Sequence, residues 1–404
     1  MKYIVVLGDG MADYPRPELD NQTPLQYAKT PHMDSLAACG ETGLVKTVPD
    51  GFAPGSDVAN LSVMGYAPEK YYTGRSPLEA VSMGVELDDD DTAFRCNLVT
   101  LSDEPDYAIK QMLDYSAGEI TSEEARELIE TVQLKLGVGD KRFYPGISYR
   151  HLMVWRQGPE KAVLTPPHDI SGRVVKDYLP DGAGADTLLE IMKQSYAVLK
   201  EHPVNRSRVD RGLNPANSVW LWGQGKRPQL PLFKDLYHLE GAVISAVDLI
   251  MGIGICAGLQ VIKVPGATGN IHTNFKGKAE AALAALHDGA DFVYVHIEAP
   301  DEAGHQGDTE IKVKAIEQID SQVLGLLLGG LTDLPAYRVM LLPDHPTPLS
   351  LRTHTAEPVP YVLAGGGVAS AEHSQIYSES SAAATGIILP DGPSLMRRFL
   401  GIGC

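Results

Sequence analysis

The sequence is poor in cysteine. Only four cysteines occur among 404 residues, and they lie far apart with no CxxC pair: Cys39, Cys96, Cys256 and Cys404. This pattern excludes a dense disulfide framework and a zinc-thiolate site, and it is typical of a reducing compartment. We therefore expect a cytoplasmic protein.

Positive charge is also scarce. The chain has 34 lysines and arginines against 52 aspartates and glutamates, which gives a formal net charge of −18. Such a surface disfavours non-specific binding to nucleic acid and docking on anionic membranes. A phosphate-handling site on this chain would need its own local positive charge, from metal ions or from arginines.

Long apolar runs are missing as well. The apolar run at the N-terminus is too short for a signal peptide, and Asp9 follows it directly. The longest apolar stretch, Gly241–Leu259, is interrupted by glycines and by Asp248, so it falls short of a membrane-spanning helix. We expect no membrane partner and no nucleic-acid partner.

The pattern of short apolar runs indicates the fold class. Helical patterns such as Gly277–His287 and Glu310–Leu328 lie between these runs. Continuous Val, Ile and Leu runs are typical of strands buried on both faces of a mostly parallel sheet, so we predict an α/β sandwich. The predicted strands are Tyr3–Leu7, Ser218–Trp222, Val261–Val264, Phe292–Ile297, Val339–Leu342 and Val359–Ala364.

The middle of the chain has a different pattern. Strand-like stretches such as Thr92–Leu101 and Tyr149–Arg156 alternate with Gly- and Pro-rich loops and with a helix at about Thr121–Leu136. We predict an inserted α+β domain at residues 90–210. The main domain would then be discontinuous, with residues 1–89 and 211–404.

Residues of metal-ligand type follow the predicted strands. Each of them alone is more often a helix cap or a turn residue, but all of them together at strand ends predict a metal site. Carboxylate and imidazole ligands suit zinc, manganese or iron better than magnesium or calcium. The candidate ligands are Asp9, Asp301, His305, Asp344, His345 and His354.

A serine precedes a helical pattern near the N-terminus. Ser56 follows Gly55 and leads into Val58–Met64, so we expect it at a helix N-terminus, where backbone N–H groups favour a phosphate. A nearby metal could activate its hydroxyl as a nucleophile. Taken alone, a serine at this position is more often a helix N-cap than a nucleophile.

Two cationic clusters lie in the predicted insert. One contains Arg150 and His151, and the other contains Asp169 and Arg173. Arginine side chains suit the recognition of carboxylates and phosphates. Salt bridges to the many carboxylates of the chain are the alternative.

Further short motifs accompany these residues along nearly the whole chain. They are Gly8–Asp13, Thr23–Leu25, Ala28–Pro31, Pro54–Asp57, Tyr72–Arg75, Pro77–Ala80 and Gly266–Gly269. In this order, and with the candidate ligands, they resemble the alkaline phosphatase superfamily. More narrowly, the chain resembles the archaeal-type 2,3-bisphosphoglycerate-independent phosphoglycerate mutases.

The resemblance implies a fold and a metal centre. The fold would be an alkaline-phosphatase-like three-layer sandwich with the inserted domain as substrate-binding domain. Two divalent ions are implied, usually Mn²⁺ and sometimes Zn²⁺ or Mg²⁺. Carried over to this sequence, one ion would be held by Asp9, Ser56, Asp344 and His345, and the other by Asp301, His305 and His354.

The resemblance also implies an activity. The family interconverts 3-phosphoglycerate and 2-phosphoglycerate in glycolysis and gluconeogenesis, here with Ser56 as the nucleophile that becomes phosphoserine. Closure of the inserted domain would exclude water from that intermediate. Substrate would be bound by Arg150, His151, Asp169 and Arg173. The partner is thus a small phosphorylated substrate, and the sequence does not indicate an oligomeric state.

Two other functions fit parts of this pattern. The same metal core would suit a homoserine kinase-like phosphotransferase or a phosphomonoesterase, which ATP dependence or release of inorganic phosphate would reveal. The chain has no GxxxxGK[ST] loop, which disfavours a P-loop kinase. A non-enzymatic metal- or anion-binding protein is disfavoured because Ser56 is present.

Overall fold

The structure is a computed structural model that describes residues 1–334, 336–368 and 376–402. Cys39 and Cys96 are free thiols, and Cys404 lies outside the described residues. The strands of the described chain are β1 (Lys2–Gly8), β2 (Glu41–Val45), β3 (Thr92–Leu101), β4 (Met112–Asp114), β5 (Lys141–Ile147), β6 (Arg150–Trp155), β7 (Ala162–Val163), β8 (Asp181–Gly182), β9 (Ser218–Lys226), β10 (Gly241–Ile244), β11 (Gln260–Ile262), β12 (Phe292–Ile297), β13 (Tyr337–Leu342), β14 (Val359–Gly365) and β15 (Ile388–Leu389).

Helices connect most of these strands. Five short 3₁₀ turns accompany them in the described chain, and a π-helical segment, Ile319–Leu324, joins two of the helices. The α-helices are α1 (Pro24–Tyr27), α2 (Pro31–Cys39), α3 (Ser56–Val63), α4 (Pro68–Tyr71), α5 (Ser76–Ser82), α6 (Ser122–Leu136), α7 (Ala185–Leu199), α8 (Pro203–Asp210), α9 (Phe233–Tyr237), α10 (Asp248–Cys256), α11 (Phe275–His287), α12 (Ala299–Gln306), α13 (Thr309–Gln318), α14 (Gly325–Gly330), α15 (Glu379–Ala384) and α16 (Gly392–Leu400).

The chain divides into two compact units. Unit 1 consists of Met1–Tyr72 and the chain from Gln229 onward, and unit 2 is Thr73–Pro228. Unit 2 therefore interrupts unit 1 in sequence, and it begins earlier and ends later than the predicted boundaries of 90 and 210. The difference arises because α5 and β9, which lie outside those boundaries, belong to unit 2.

Unit 1 is built around one large sheet. Eight strands of the described chain form it, in the order β11-β10-β12-β1-β13-β14-β2-β15. All neighbouring strands are parallel except that β14 runs antiparallel to both β13 and β2. The predicted α/β class with a mostly parallel sheet is confirmed.

Helices cover both faces of this sheet. Alternate residues of a strand point to opposite faces, so Ile4 and Val6 of β1 pack into a core shared with α2, α11 and α13. On the other face, the Tyr3 ring lies 5.5 Å from the ring of Phe399 in α16. The strands are buried on both faces, as their continuous apolar runs indicate.

Two strand predictions need correction. The stretch Ser218–Trp222 is a strand, but it belongs to unit 2, where it pairs antiparallel with β3. It was assigned to the main sheet because it is apolar along its length, and the structure shows that both faces of β9 are buried within its own unit. Strand β14 lies in the main sheet as predicted, although it is antiparallel.

Unit 2 is an α+β unit. Strand β3 is buried along its length and pairs antiparallel with β4, β6 and β9, while β5 continues the sheet beyond β6. Helices α6 and α7 contribute Leu128, Ile129, Leu188 and Met192 to a core that also holds Trp220. Of the helices that the structure describes, none is long and apolar enough to cross a membrane.

Candidate active site

The candidate site lies at the carboxyl ends of three neighbouring strands of unit 1. Strand β1 is parallel to β12 on one side and to β13 on the other. Asp9 follows β1, Asp301 lies in the helix after β12, and Asp344 follows β13. As predicted, the parallel sheet brings these carboxylates to one edge.

Gly10 allows the loop after β1 to pass close to its neighbours. Its φ is +62°, a left-handed conformation that glycine adopts without strain. A Cβ atom there would lie 2.5 Å from Thr347 Oγ1 and 2.7 Å from Asp301 Cα. Any larger residue would therefore push Asp9 away from the other ligands.

One group of ligands is centred on Asp301. Asp301 and His305 are one turn apart in α12, so their side chains share a face, and His305 Nε2 lies 3.3 Å from Asp301 Oδ2. His354 Nε2 lies 3.3 Å from Asp301 Oδ1 and 2.9 Å from His305 Nε2. Two imidazoles and a carboxylate thus converge on one point, and the two imidazoles are only partly buried.

The second group surrounds Ser56. The Ser56 hydroxyl oxygen lies 3.3 Å from Asp9 Oδ2 and 3.2 Å from His345 Nε2. His345 Nε2 in turn lies 3.4 Å from Asp344 Oδ2. The predicted position of Ser56 is confirmed: it is the first residue of α3, with Gly55 before it.

Asp9 lies in a buried and strongly acidic environment. Burial, together with the nearby carboxylates of Asp344, Asp301 and Glu298, raises the pKa of Asp9 well above its ordinary value. Asp9 Oδ1 is buried and has no hydrogen-bond partner among the described residues. An unpaired buried carboxylate oxygen is costly, so this atom fits the coordination of a cation.

The pKa of Asp301 is shifted downward, opposite to that of Asp9. Burial tends to raise its pKa, but the hydrogen bonds and charges of His305 and His354 outweigh burial and hold it well below its ordinary value. Burial alone would lower the pKa of His305. Its hydrogen bond and ion pair with Asp301 outweigh burial and raise the pKa of His305 to about 9. Without a cation, a proton on His305 provides the positive charge of this group.

These groups fit divalent metal ions. Each set offers oxygen and imidazole nitrogen atoms within 4.8 Å of one another, in buried or partly buried positions. Such mixed donors suit zinc, manganese and similar ions. The sets are Asp301, His305 and His354; Asp9, Asp301 and His345; and Asp9, His296 and Asp344.

Sequence reasoning missed several residues of this site. His296, in β12, lies with Nε2 3.0 Å from Asp9 Oδ2, and burial lowers its pKa to about 3. Asn60, in α3, donates to Asp344 Oδ2 at 2.7 Å and accepts from the Tyr294 hydroxyl at 2.7 Å. A polar residue inside an otherwise apolar strand, as at position 296, was the available signal.

A buried ion pair joins the loops that carry the ligands. Lys312 Nζ in α13 lies 2.7 Å from Asp13 Oδ2, 2.8 Å from the Thr347 carbonyl oxygen and 3.4 Å from that of Ala12. Both charged side chains are 0% exposed. The pair fastens the loop after β1 to the loop after β13, and burial lowers the pKa of Lys312.

The predicted substrate-binding residues all lie in unit 2. Arg150 is exposed at the start of β6, with its guanidinium 5.3 Å from the Tyr149 ring centre, and Asp169 and Arg173 are exposed as well. His151 is 2% exposed, and its Nδ1 accepts from the Gly146 N–H at 2.9 Å. His151 is thus buried inside the unit, whereas the other three are open to solvent.

Two further arginines lie near Arg150 and were not predicted. Glu79 lies 3.0 Å from Arg75 Nε and 3.2 Å from Arg95 Nε. Burial lowers the pKa of Arg95 to about 10, Glu79 opposes that change, and the charges of Arg75 and Arg150 add to it. The cluster holds three cations against one carboxylate, which gives unit 2 a local positive field in an acidic protein.

The chain is similar to characterised mutases and to solved structures over almost its whole length. A profile of the 2,3-bisphosphoglycerate-independent phosphoglycerate mutases matches residues 37–205. A probable enzyme of that name from Geobacter sulfurreducens is 55% identical over 400 residues, covering 99% of this chain and 100% of the relative. The Methanothrix thermoacetophila enzyme is 53% identical over 401 residues, covering 99% and 100%.

Solved structures agree with these relatives. A Pyrococcus horikoshii protein matches with a TM-score of 0.83 at 29% identity, covering 99% of this chain and 97% of that one. The cofactor-independent phosphoglycerate mutase of Thermoplasma acidophilum matches with a TM-score of 0.65 at 26% identity, covering 99% of both chains. These likenesses confirm the expected resemblance, and the chain belongs to the 2,3-bisphosphoglycerate-independent phosphoglycerate mutase family.

Proposed function

We propose that this protein interconverts 3-phosphoglycerate and 2-phosphoglycerate without added 2,3-bisphosphoglycerate, and that Ser56 accepts the phosphoryl group. The observation that supports this proposal is the position of the Ser56 hydroxyl, 3.3 Å from Asp9 and 3.2 Å from His345 at the start of α3. A serine in such surroundings can act as a nucleophile once its hydroxyl is deprotonated.

The metal ligands follow from the same geometry. One divalent ion would be held by Asp9, Ser56, Asp344 and His345, and a second by Asp301, His305 and His354. When bound, such ions lower the pKa of the serine hydroxyl and neutralise phosphoryl charge. Mn²⁺ suits this mixture of carboxylate and imidazole donors, and Zn²⁺ or Mg²⁺ are the other candidates.

The phosphoryl group moves in two steps, first to Ser56 and then back to the substrate. Ser56 Oγ forms a bond to phosphorus as the bond from phosphorus to the 3-oxygen of the substrate breaks, and the proton lost from Ser56 ends on that oxygen. The glycerate then presents its 2-hydroxyl, which takes the phosphoryl group back and returns a proton to Ser56. The positive end of the α3 dipole, at Ser56, favours the negative charge of the phosphoryl oxygens.

Arginines of unit 2 would bind the carboxylate of the substrate. Arg150 is exposed, so its guanidinium group is available to an anion. Arg75 lies beside Glu79 in the same cluster and adds positive charge to this surface. Asp169 and Arg173 remain candidates for contacts with the hydroxyl and phosphoryl groups. His151 supports this surface from inside the sheet, because its side chain is buried.

We place this enzyme in the cytoplasm. Glycolytic intermediates are made and consumed there, and the free thiols of Cys39 and Cys96 suit a reducing compartment.

The proposal is tested by incubating the purified protein with Mn²⁺ and 3-phosphoglycerate alone. We expect ³¹P NMR to show 2-phosphoglycerate, with little inorganic phosphate, and the Ser56→Ala variant to form none. Ser321→Ala, at an exposed helical serine, is the matched control and should keep full activity. Faster release of phosphate than of 2-phosphoglycerate would identify a phosphomonoesterase, and phosphorylation of homoserine only when ATP is added would identify a kinase.

A further inference from the structure

His296 is a buried histidine that the proposed ligand sets leave unused. It lies in β12 opposite Leu7 of β1, and its side chain is 0% exposed. Its two ring nitrogens face different partners: Nε2 is 3.0 Å from Asp9 Oδ2, and Nδ1 is 3.2 Å from Ser245 Oγ. Both partners are buried, so water does not compete for these contacts.

The two partners of His296 decide which nitrogen carries the hydrogen. When Asp9 is ionised, as a metal ligand must be, its Oδ2 can only accept, so Nε2 carries the N–H and donates to Asp9. Nδ1 is then the acceptor of the ring. Ser245 Oγ accepts the Val247 N–H at 3.0 Å and can donate its own hydrogen to Nδ1 at 3.2 Å, which fits this tautomer.

We propose that His296 is a positioning residue that orients Asp9 for metal binding and is not itself a metal ligand. A nitrogen that carries hydrogen has no lone pair for a metal ion, although His296 lies within ligand distance of Asp9 and Asp344. Its hydrogen bond holds Oδ2 of Asp9. The other oxygen, Oδ1, then faces His345 Nε2 at 3.5 Å with no hydrogen-bond partner among the described residues, as a ligand atom requires.

One further contact fixes the backbone that carries the imidazole. Lys278 Nζ is buried and donates to the His296 carbonyl oxygen at 2.9 Å, which ties α11 to the end of β12. A series of hydrogen bonds therefore links Val247, Ser245, His296 and Asp9, and it runs from the loop after β10 to the loop after β1. All four residues belong to unit 1.

This inference rests on the proposed metal-dependent function, and it is tested on metal-free protein by titration with Mn²⁺, followed by electron paramagnetic resonance of free Mn²⁺. His296→Met removes the N–H but keeps apolar volume, and His296→Gln places an amide N–H near the former Nε2. We expect His296→Met to weaken Mn²⁺ binding about 10- to 100-fold with unchanged stoichiometry. His296→Gln should restore most of the affinity, and Ser245→Ala, which frees the ring to adopt the other tautomer, should lie between them.

The outcomes separate this inference from the proposed function. Wild-type protein that binds no Mn²⁺ would overturn both. Tight binding by wild type and equally tight binding by His296→Met would overturn only the role of His296. Loss of one bound ion in His296→Met and in His296→Gln alike would show that His296 is a ligand. If His296→Met does not fold, a wild-type affinity in Ser245→Ala refutes the inference, and a weakened one supports it.

Discussion

The buried ion pair of Lys312 and Asp13 should contribute measurably to the free energy of unfolding of unit 1. The Lys312→Met variant keeps the length and the apolar stem of the side chain but removes its ammonium group. Asp13, which is 0% exposed at its side chain, then loses its cationic partner. Breaking a buried ion pair by removing one partner costs about 3–5 kcal/mol, because an uncompensated charge remains.

The contacts of Asp13 place the expected loss at the lower end of that range. Its carboxylate still accepts the N–H of Tyr14 at 2.7 Å and that of Leu349 at 3.1 Å. We therefore expect Lys312→Met to lower the free energy of unfolding by about 3 kcal/mol. For a unit of this size, a loss of that kind lowers the Tm by roughly 6–12 °C.

The assay should follow unit 1 separately from unit 2. The chain has three tryptophans, Trp155, Trp220 and Trp222, and all of them belong to unit 2, so their emission reports that unit. Calorimetry and circular dichroism of metal-free protein report the whole chain. We expect the transition of unit 1 to move to lower temperature and denaturant concentration.

A second variant separates the charge effect from loss of packing. Asp13→Asn combined with Lys312→Met leaves no unpaired charge, so it should be more stable than Lys312→Met alone. A loss below about 1 kcal/mol in the single variant, the value of an exposed pair, would refute the reasoning. The same conclusion would follow if the double variant were no more stable than the single one.

Three further predictions concern the active site. Ser56→Ala should lower mutase turnover by on the order of 10⁴-fold or more while Mn²⁺ binding largely persists, and turnover close to wild type would rule out the nucleophile. Asn60→Leu removes the donor to Asp344 and should weaken Mn²⁺ affinity about 10- to 100-fold by titration calorimetry; unchanged affinity would contradict the orienting role. Because the pKa of His305 in metal-free protein is about 9, its proton must leave before a metal binds, so affinity should rise about tenfold per pH unit below 9 and level off above it. A Mn²⁺ affinity that does not change between pH 7 and pH 9 would contradict the raised pKa of His305.

The position of the candidate ligands at one edge of the sheet could be predicted because two simple patterns coincide. Asp9, Asp301 and Asp344 each follow a continuous apolar run, and parallel strands share one edge for their carboxyl ends. The structure brings them together as that argument requires. Their adjacency in the sheet, with β1 between β12 and β13, could not be derived, because strand order depends on packing between distant segments.

The missed residues share a different property. His296 lies inside a buried strand and Asn60 inside a buried helical turn, where sequence alone suggests ordinary core positions. Their importance comes from partners far away in sequence, such as Asp9 for His296, which are 287 residues apart. The same holds for Lys312, whose partner Asp13 is 299 residues distant.

The boundary of unit 2 was placed too narrowly for a related reason. Strand β9 is apolar because it is buried on both faces, and so are the parallel strands of the main sheet. Local pattern cannot distinguish burial in one sheet from burial in the other. Only the pairing of β9 with β3 assigns it to unit 2.

Strand β1 lies in the middle of its sheet although both of its neighbours, β12 and β13, come more than 280 residues later in the sequence. Its neighbours β12 and β13 end at Ile297 and Leu342, so translation at about 5–20 residues per second leaves β1 without its second neighbour for roughly 15–70 s. During that interval the strands of Thr73–Pro228, which come from one continuous stretch, can already pair. Asp9 can meet Asp344 only after translation has passed residue 344, so the proposed metal site can form only after that point in synthesis.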